Sequence, residues 1–145
     1  MVLEPYQRAQ SARDDVQRLL TAYCDLLDSG RIEEWALCYT PDGIFEGPSG
    51  KVAGREALVA YGSRAKERGF YLHYLSNVQV DLDDSDSTKA TAKSYLLYVQ
   101  RSTSGELSVV GGSQSDVLRR GPDGWKIAHR TLTAQPLLRM PGAVS

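Results

Sequence analysis

Four strand-like runs, residues 70–82, 88–102, 106–119 and 124–135, fill the second half of this chain. Between them lie Asp83-Asp84-Ser85-Asp86, Ser104-Gly105 and Gly121-Pro122-Asp123-Gly124, which is turn chemistry at hairpin lengths. Strands average about 5–6 residues. Runs twice that length bend strongly or carry bulges, and Gly111-Gly112, inside the third run, is the expected bend.

The first half repeats at helical spacing. Ser11, with Asp14 three residues on, reads as a helix start, and Val16, Leu19, Leu20, Tyr23 and Leu27 follow as one apolar stripe until Ser29-Gly30. Arg31 to Tyr39 is a short second helix, and Gly54-Arg55-Glu56 opens a third that ends at Gly69. Pro41-Asp42-Gly43 is a turn, followed by a short strand at 44–47 and a return at 50–53. Helices first and an antiparallel meander last predict an α+β domain. Helices laid across the open side of a strongly curved sheet enclose a pocket. The expected organisation is an arm over 1–11, one domain over 12–135 and a loose tail over 136–145.

Composition narrows the partners. Net charge is -1, without basic or acidic blocks, which disfavours nucleic acid and anionic membrane. No apolar run approaches the ~20 residues of a membrane helix, and the polar N-terminus lacks a secretion signal's apolar core. Cys24 and Cys38 form neither a disulfide framework nor a metal set, so a cytoplasmic setting is expected. The sequence has no glycine-rich phosphate loop, no Gly-x-Ser-x-Gly elbow and no Cys/His metal spacing.

Of the chain's two histidines, His73 lies within Phe70-Tyr71-Leu72-His73-Tyr74-Leu75. Alternation puts Tyr71, His73 and Leu75 on one face. Such an imidazole is either a satisfied core residue or the base of a buried site. A base needs an orienting carboxylate, and Asp25 and Asp28 on the first helix are the candidates. Alternation in the last run groups Ala128, Arg130 and Leu132, opposite Trp125, Ile127 and His129. Arg130 then either holds an anionic substrate group or forms a salt bridge. Tyr23, Tyr95 and Tyr98 are candidate pocket hydroxyls or core residues with a wet tip. Ser113, Gln114 and Ser115 are further polar candidates.

The arrangement resembles the SnoaL-like branch of the nuclear transport factor 2-like superfamily. The resemblance rests on Arg13-x-x-Val16-Gln17-x-Leu19, Tyr23-x-x-x-x-Asp28-Ser29-Gly30, Trp35, Tyr39-Thr40-x-Asp42-Gly43, Gly54, Leu72-His73-Tyr74-x-Ser76-Asn77, Asp123-Gly124-Trp125-Lys126-Ile127 and Arg130. It spans roughly residues 10–135. The pattern is most similar to hexachlorocyclohexane dehydrochlorinase, scytalone dehydratase and the bile-acid dehydratases, which implies a cone-shaped barrel and a His–Asp dyad acting without a cofactor. By register the aspartate falls on Asp28 and the histidine on His73. The dehydrochlorinase arginine falls on Arg130, and the bile-acid dehydratase tyrosine on Tyr23.

The resemblance implies an elimination catalyst of dehydratase type acting on a small, largely apolar cyclic molecule. Catalytic residues would be His73, Asp28, Tyr23 and Arg130. The expected substrate wall comprises Trp35, Phe45, Tyr95 and Ser113, with no cofactor and no metal. A cyclase or isomerase using the same residues is an alternative, as is a non-catalytic module like the small subunits of ring-hydroxylating oxygenases. Relatives of this kind commonly form homotrimers or dimers, so a homo-oligomer is expected.

Overall fold

The computed structural model describes Val2 and residues 4–142. Three helices, α1 (Pro5–Asp28), α2 (Ile32–Ala36) and α3 (Arg55–Glu67), cover a six-stranded sheet. Its strands are β1 (Tyr39–Gly47), β2 (Gly50–Ala53), β3 (Gly69–Leu82), β4 (Lys89–Ser102), β5 (Leu107–Gly121) and β6 (Gly124–Met140). The spatial order is β2-β1-β6-β5-β4-β3. The architecture is α+β, as expected, but the sheet does not close: β2 and β3 are free edges. It is also not wholly antiparallel, because β1 runs parallel to β6. The chain crosses from β1 through β2, α3 and the meander before β6 returns beside it. Among the described residues, no helix is long and apolar enough to cross a membrane.

Two chain ends depart from expectation. Helix α1 begins at Pro5, not after Ser11, so residues 5–11 are helical rather than an arm. Glu4 and Gln7 form a reciprocal capping box, and Pro5 occupies the first turn, where its missing N–H costs nothing. At the other end β6 continues through Met140, paired to Leu107, where a loose tail was expected. Pro136 fits because a register shift falls between Val109 and Val110 opposite it. Residues 143–145 of that expected tail lie outside the described residues.

The long strands bend by bulges. Shifts lie between Ser76 and Gln79, where Asn77 has φ 52°, and between Val109/Val110 and Val117/Leu118. The last two flank Gly111-Gly112 rather than coincide with it. Those glycines permit close approach: a Cβ on Gly112 would lie 2.1 Å from the Thr133 carbonyl oxygen. The Val117/Leu118 shift also resets alternation in β6. Trp125 and Ile127 therefore face inward together with Arg130, not opposite it.

The core joins α1 (Val16, Leu20, Tyr23, Leu27) and α2 (Trp35) to the concave sheet face through Tyr71, Leu118 and Ile127. Gly62 of α3 lets α2 dock closely, since a Cβ there would meet Ile32 Cγ2 at 2.9 Å and Trp35 Cζ3 at 3.0 Å.

Candidate active site

Asp28 is the last residue of α1, and His73 is the fifth of β3. Strand alternation turns Tyr71, His73 and Leu75 inward, and the end of α1 lies against that face. His73 Nδ1 sits 2.5 Å from Asp28 Oδ1, and the His73 backbone N–H donates to Asp28 Oδ2 at 2.9 Å. A carboxylate only accepts, so the proton between them belongs to Nδ1. In the neutral imidazole Nε2 is then the lone-pair nitrogen, and it has no hydrogen-bond partner among the described residues. The two side chains are 12% and 13% exposed, so the pair is sheltered yet reachable. Tyr98 lies 4.8 Å from the imidazole centroid and Tyr71 meets it edge-on at 5.6 Å. Burial pushes both phenols up to about 12, which keeps them protonated beside the pair. Asp25, the other carboxylate considered, points to solvent.

Tyr23 and Arg130 meet deeper in the core. The guanidinium lies 4.1 Å over the Tyr23 ring, and the Tyr23 and Tyr39 hydroxyls are 3.0 Å apart. Arg130 Nε and Nη2 donate to the two Asp116 oxygens at 2.7 and 2.8 Å. Of its two sequence readings, Arg130 thus has a salt bridge, but a fully buried one. Its Nη1 is buried with no partner among the described residues. Burial works against the guanidinium charge, but Asp116 overrides it and holds Arg130 well above its ordinary value. Burial raises Tyr23 despite the opposing charge of Arg130, and Tyr39 is raised well above the ordinary phenol for the same reason.

The expected substrate wall divides. Trp35 and Phe45 are buried, Trp35 edge-on to Tyr39 and Phe45 against Tyr61 at 5.2 Å. Tyr95 and Ser113 are cross-strand partners on the convex face, pointing away from the interior, so neither can line a pocket there. Their neighbours Ser94 and Gln114 are the inward pair, with Gln114 Nε2 3.4 Å from Ser94 Oγ. Tyr23, Trp35 and Tyr39 pack into one another in the core, and surface concavities lie along Asp14, Arg18 and Asp25 and over Gly111 and Thr133. His129, the second histidine, bonds Glu46 at 2.9 Å on the outer face.

Sequence reasoning missed Asp116 and Tyr39. Tyr39 was used only as part of a motif. Asp116 sits on a strand whose pairing to Arg130 depends on where bulges fall.

A curved, unclosed six-stranded sheet backed by three helices is the cystatin-like, NTF2-like class of fold. Residues 8–131 match the SnoaL-like domain family, and the chain belongs to it. No curated protein matches the sequence. Among solved structures, a scytalone dehydratase-like protein of Novosphingobium aromaticivorans is 20% identical with a TM-score of 0.81, covering 97% of this chain and 93% of that one. An NTF2-like protein of the same organism is 24% identical with a TM-score of 0.72, covering 88% and 84%. LinA, the hexachlorocyclohexane dehydrochlorinase, is 17% identical with a TM-score of 0.79, covering 94% and 93%. These likenesses establish the fold.

Proposed function

We propose that this protein is a cofactor-independent lyase of dehydratase type, acting on a small, largely apolar cyclic molecule. The observation that carries the reading is the Asp28–His73 pair at 2.5 Å with Nε2 unoccupied by any described residue. In the proposed reaction Nε2 takes a proton from carbon. The C–H electrons form the new double bond, and the leaving hydroxyl departs as water with a proton returned from the imidazolium. Asp28 holds the tautomer and stabilises the imidazolium, the role a carboxylate plays behind a general-base histidine. A general base of this kind contributes about 10²–10⁴-fold. A cyclase or isomerase would use the same proton abstraction without losing a group.

A second reading is a non-catalytic module on the same scaffold, favoured by Tyr23 and Arg130 being closed to solvent. Incubation in D2O with a panel of cyclic β-hydroxy ketones separates the readings. A lyase yields the unsaturated ketone, and an isomerase or cyclase yields deuterium at the α carbon without loss of water. Both must disappear in His73→Ala. Wild-type protein that catalyses neither process leaves the module.

A further inference from the structure

A helix end leaves its last four carbonyls without partners inside the helix. In α1 three of these are capped nearby or through Tyr71. Asp25 C=O accepts from Ser29 N–H at 2.9 Å and Leu26 C=O from Arg31 N–H at 2.9 Å. Leu27 C=O accepts from Gly30 N–H at 3.1 Å and from the Tyr71 hydroxyl at 3.3 Å. The fourth, on Asp28 itself, has one partner among the described residues: Lys66 Nζ of α3, at 2.8 Å.

That single contact lies where it matters for the candidate pair. The C-terminal end of a helix is its negative pole and disfavours a carboxylate. Helix α1 has no basic residue in its last turn to offset this, and Asp28 is its last residue. Lys66 brings a cation from another element to the same peptide unit. Its own position is fixed on two further sides. The stem runs along Gly30, where an added Cβ would come within 3.0 Å of Lys66 Cε, and the ammonium lies 5.1 Å from the Tyr71 ring centroid. Tyr71 in turn abuts the His73 imidazole. Lys66, Asp28, His73 and Tyr71 therefore form a closed ring of contacts around the end of α1.

We infer that Lys66 is a positioning residue for the pair: by holding the last peptide of α1 it sets the direction in which the Asp28 carboxylate meets His73 Nδ1. The inference rests on the proposed role of Asp28 and His73 as a working pair. It acts through the backbone, since Lys66 forms no ion pair with the Asp28 carboxylate among the described residues.

The test needs no substrate. The imidazole Nδ1–H shared with Asp28 gives a low-field proton resonance in H2O, assigned by its absence in His73→Gln. In Lys66→Met, which keeps the apolar stem, this proton exchanges with solvent about tenfold faster or more, as expected when a charged hydrogen bond is lost. Lys66→Arg restores the wild-type rate, and Lys66→Gln behaves as Lys66→Met. Amide spectra of each variant check that the fold is retained. Unchanged exchange in folded Lys66→Met or Lys66→Gln overturns the role of Lys66 and leaves the pair standing. A wild-type spectrum identical to that of His73→Gln overturns the pair, and the inference with it.

Discussion

Arg130 on β6 grips Asp116 on β5 through two parallel hydrogen bonds, with both side chains closed to solvent. The two are direct cross-strand partners, so the pair also fixes the register of the sheet's most extensive strand contact. Breaking a buried pair by removing one partner typically costs about 3–5 kcal/mol, because the other charge stays buried and uncompensated. Asp116→Asn is therefore expected to destabilise the fold by about that much in denaturant unfolding. The double variant Asp116→Leu/Arg130→Met should recover most of the loss. Equal losses in the single and double variants would show that Arg130 matters through something other than Asp116.

The pair also marks how far the sequence could be read. Asp28, at a helix end before Ser29-Gly30 where the helical wheel gives no direction, was separated from Asp25 only by the family resemblance, whereas His73 was legible because it lies amid regular alternation. The meander and its turns were legible for the same reason. Asp116 was not. Its partner depends on a shift between Val117 and Leu118, a bulge that no turn residue announces and that also brings Trp125 and Ile127 to the same side as Arg130. The outward direction of Tyr95 is not legible because β4 carries apolar residues on both faces near its middle, Leu96 and Tyr98 inward, Tyr95 and Leu97 outward, and Ser113 on β5 follows Tyr95 as its cross-strand partner. Alternation cannot orient a strand whose two sides are equally apolar.

The buried thiols and phenols give a pH expectation. Burial raises Cys24 and Cys38 from the ordinary 9.0 to about 11, and Tyr71 and Tyr98 from 10.0 to about 12. In each case the folded chain holds its proton to higher pH than the unfolded chain. The stabilisation is complete below pH 9 and is lost progressively as pH climbs from there toward 12. Urea midpoints measured from pH 7 upward should be flat and then fall above about 9, and native protein at pH 8 should resist iodoacetamide at both cysteines. Rapid alkylation in the native state would contradict the burial.

The convex face carries an apolar patch. Phe70, Leu72 and Tyr74 on β3, Leu97 and Tyr95 on β4, and Leu137, Leu138 and Met140 on β6 are exposed there. Three aromatics more than half exposed present roughly 300 Å² between them, a size that marks interaction sites on monomers. The aliphatic neighbours extend the patch toward the roughly 800 Å² per partner of a standard interface. Arg101, between Phe70 and Met140 in one outward row, is the charge within it, and the rows through Leu72 and Leu138 and through Tyr74 and Leu97 hold none. A second copy of this chain is the expected occupant. Wild-type protein should sediment as an oligomer and Leu97→Glu as a folded monomer. A wild-type monomer at all concentrations would refute the assignment.

Asp28 and Asp25 make a paired test on one helix. Asp28 accepts from two His73 donors, the ring Nδ1–H and the backbone N–H, one on each oxygen. Asparagine has a single acceptor oxygen, so Asp28→Asn leaves one of these part-buried donors facing an NH2 group. The expected cost is about 1–3 kcal/mol in unfolding free energy. On the proposed reading it also brings a loss of turnover approaching that of His73→Ala, since the imidazole loses its orienting partner. Asp25 is exposed near the negative end of the same helix, where removing a carboxylate relieves repulsion of about 0.3–1 kcal/mol. Asp25→Asn should therefore be neutral or slightly stabilising and leave turnover intact. Both variants remove one negative charge from the last turn of α1, so a general electrostatic effect would move them together. Only the contact with His73 moves them apart, and equal behaviour in denaturation and in the D2O assay would show that this contact carries neither stability nor chemistry.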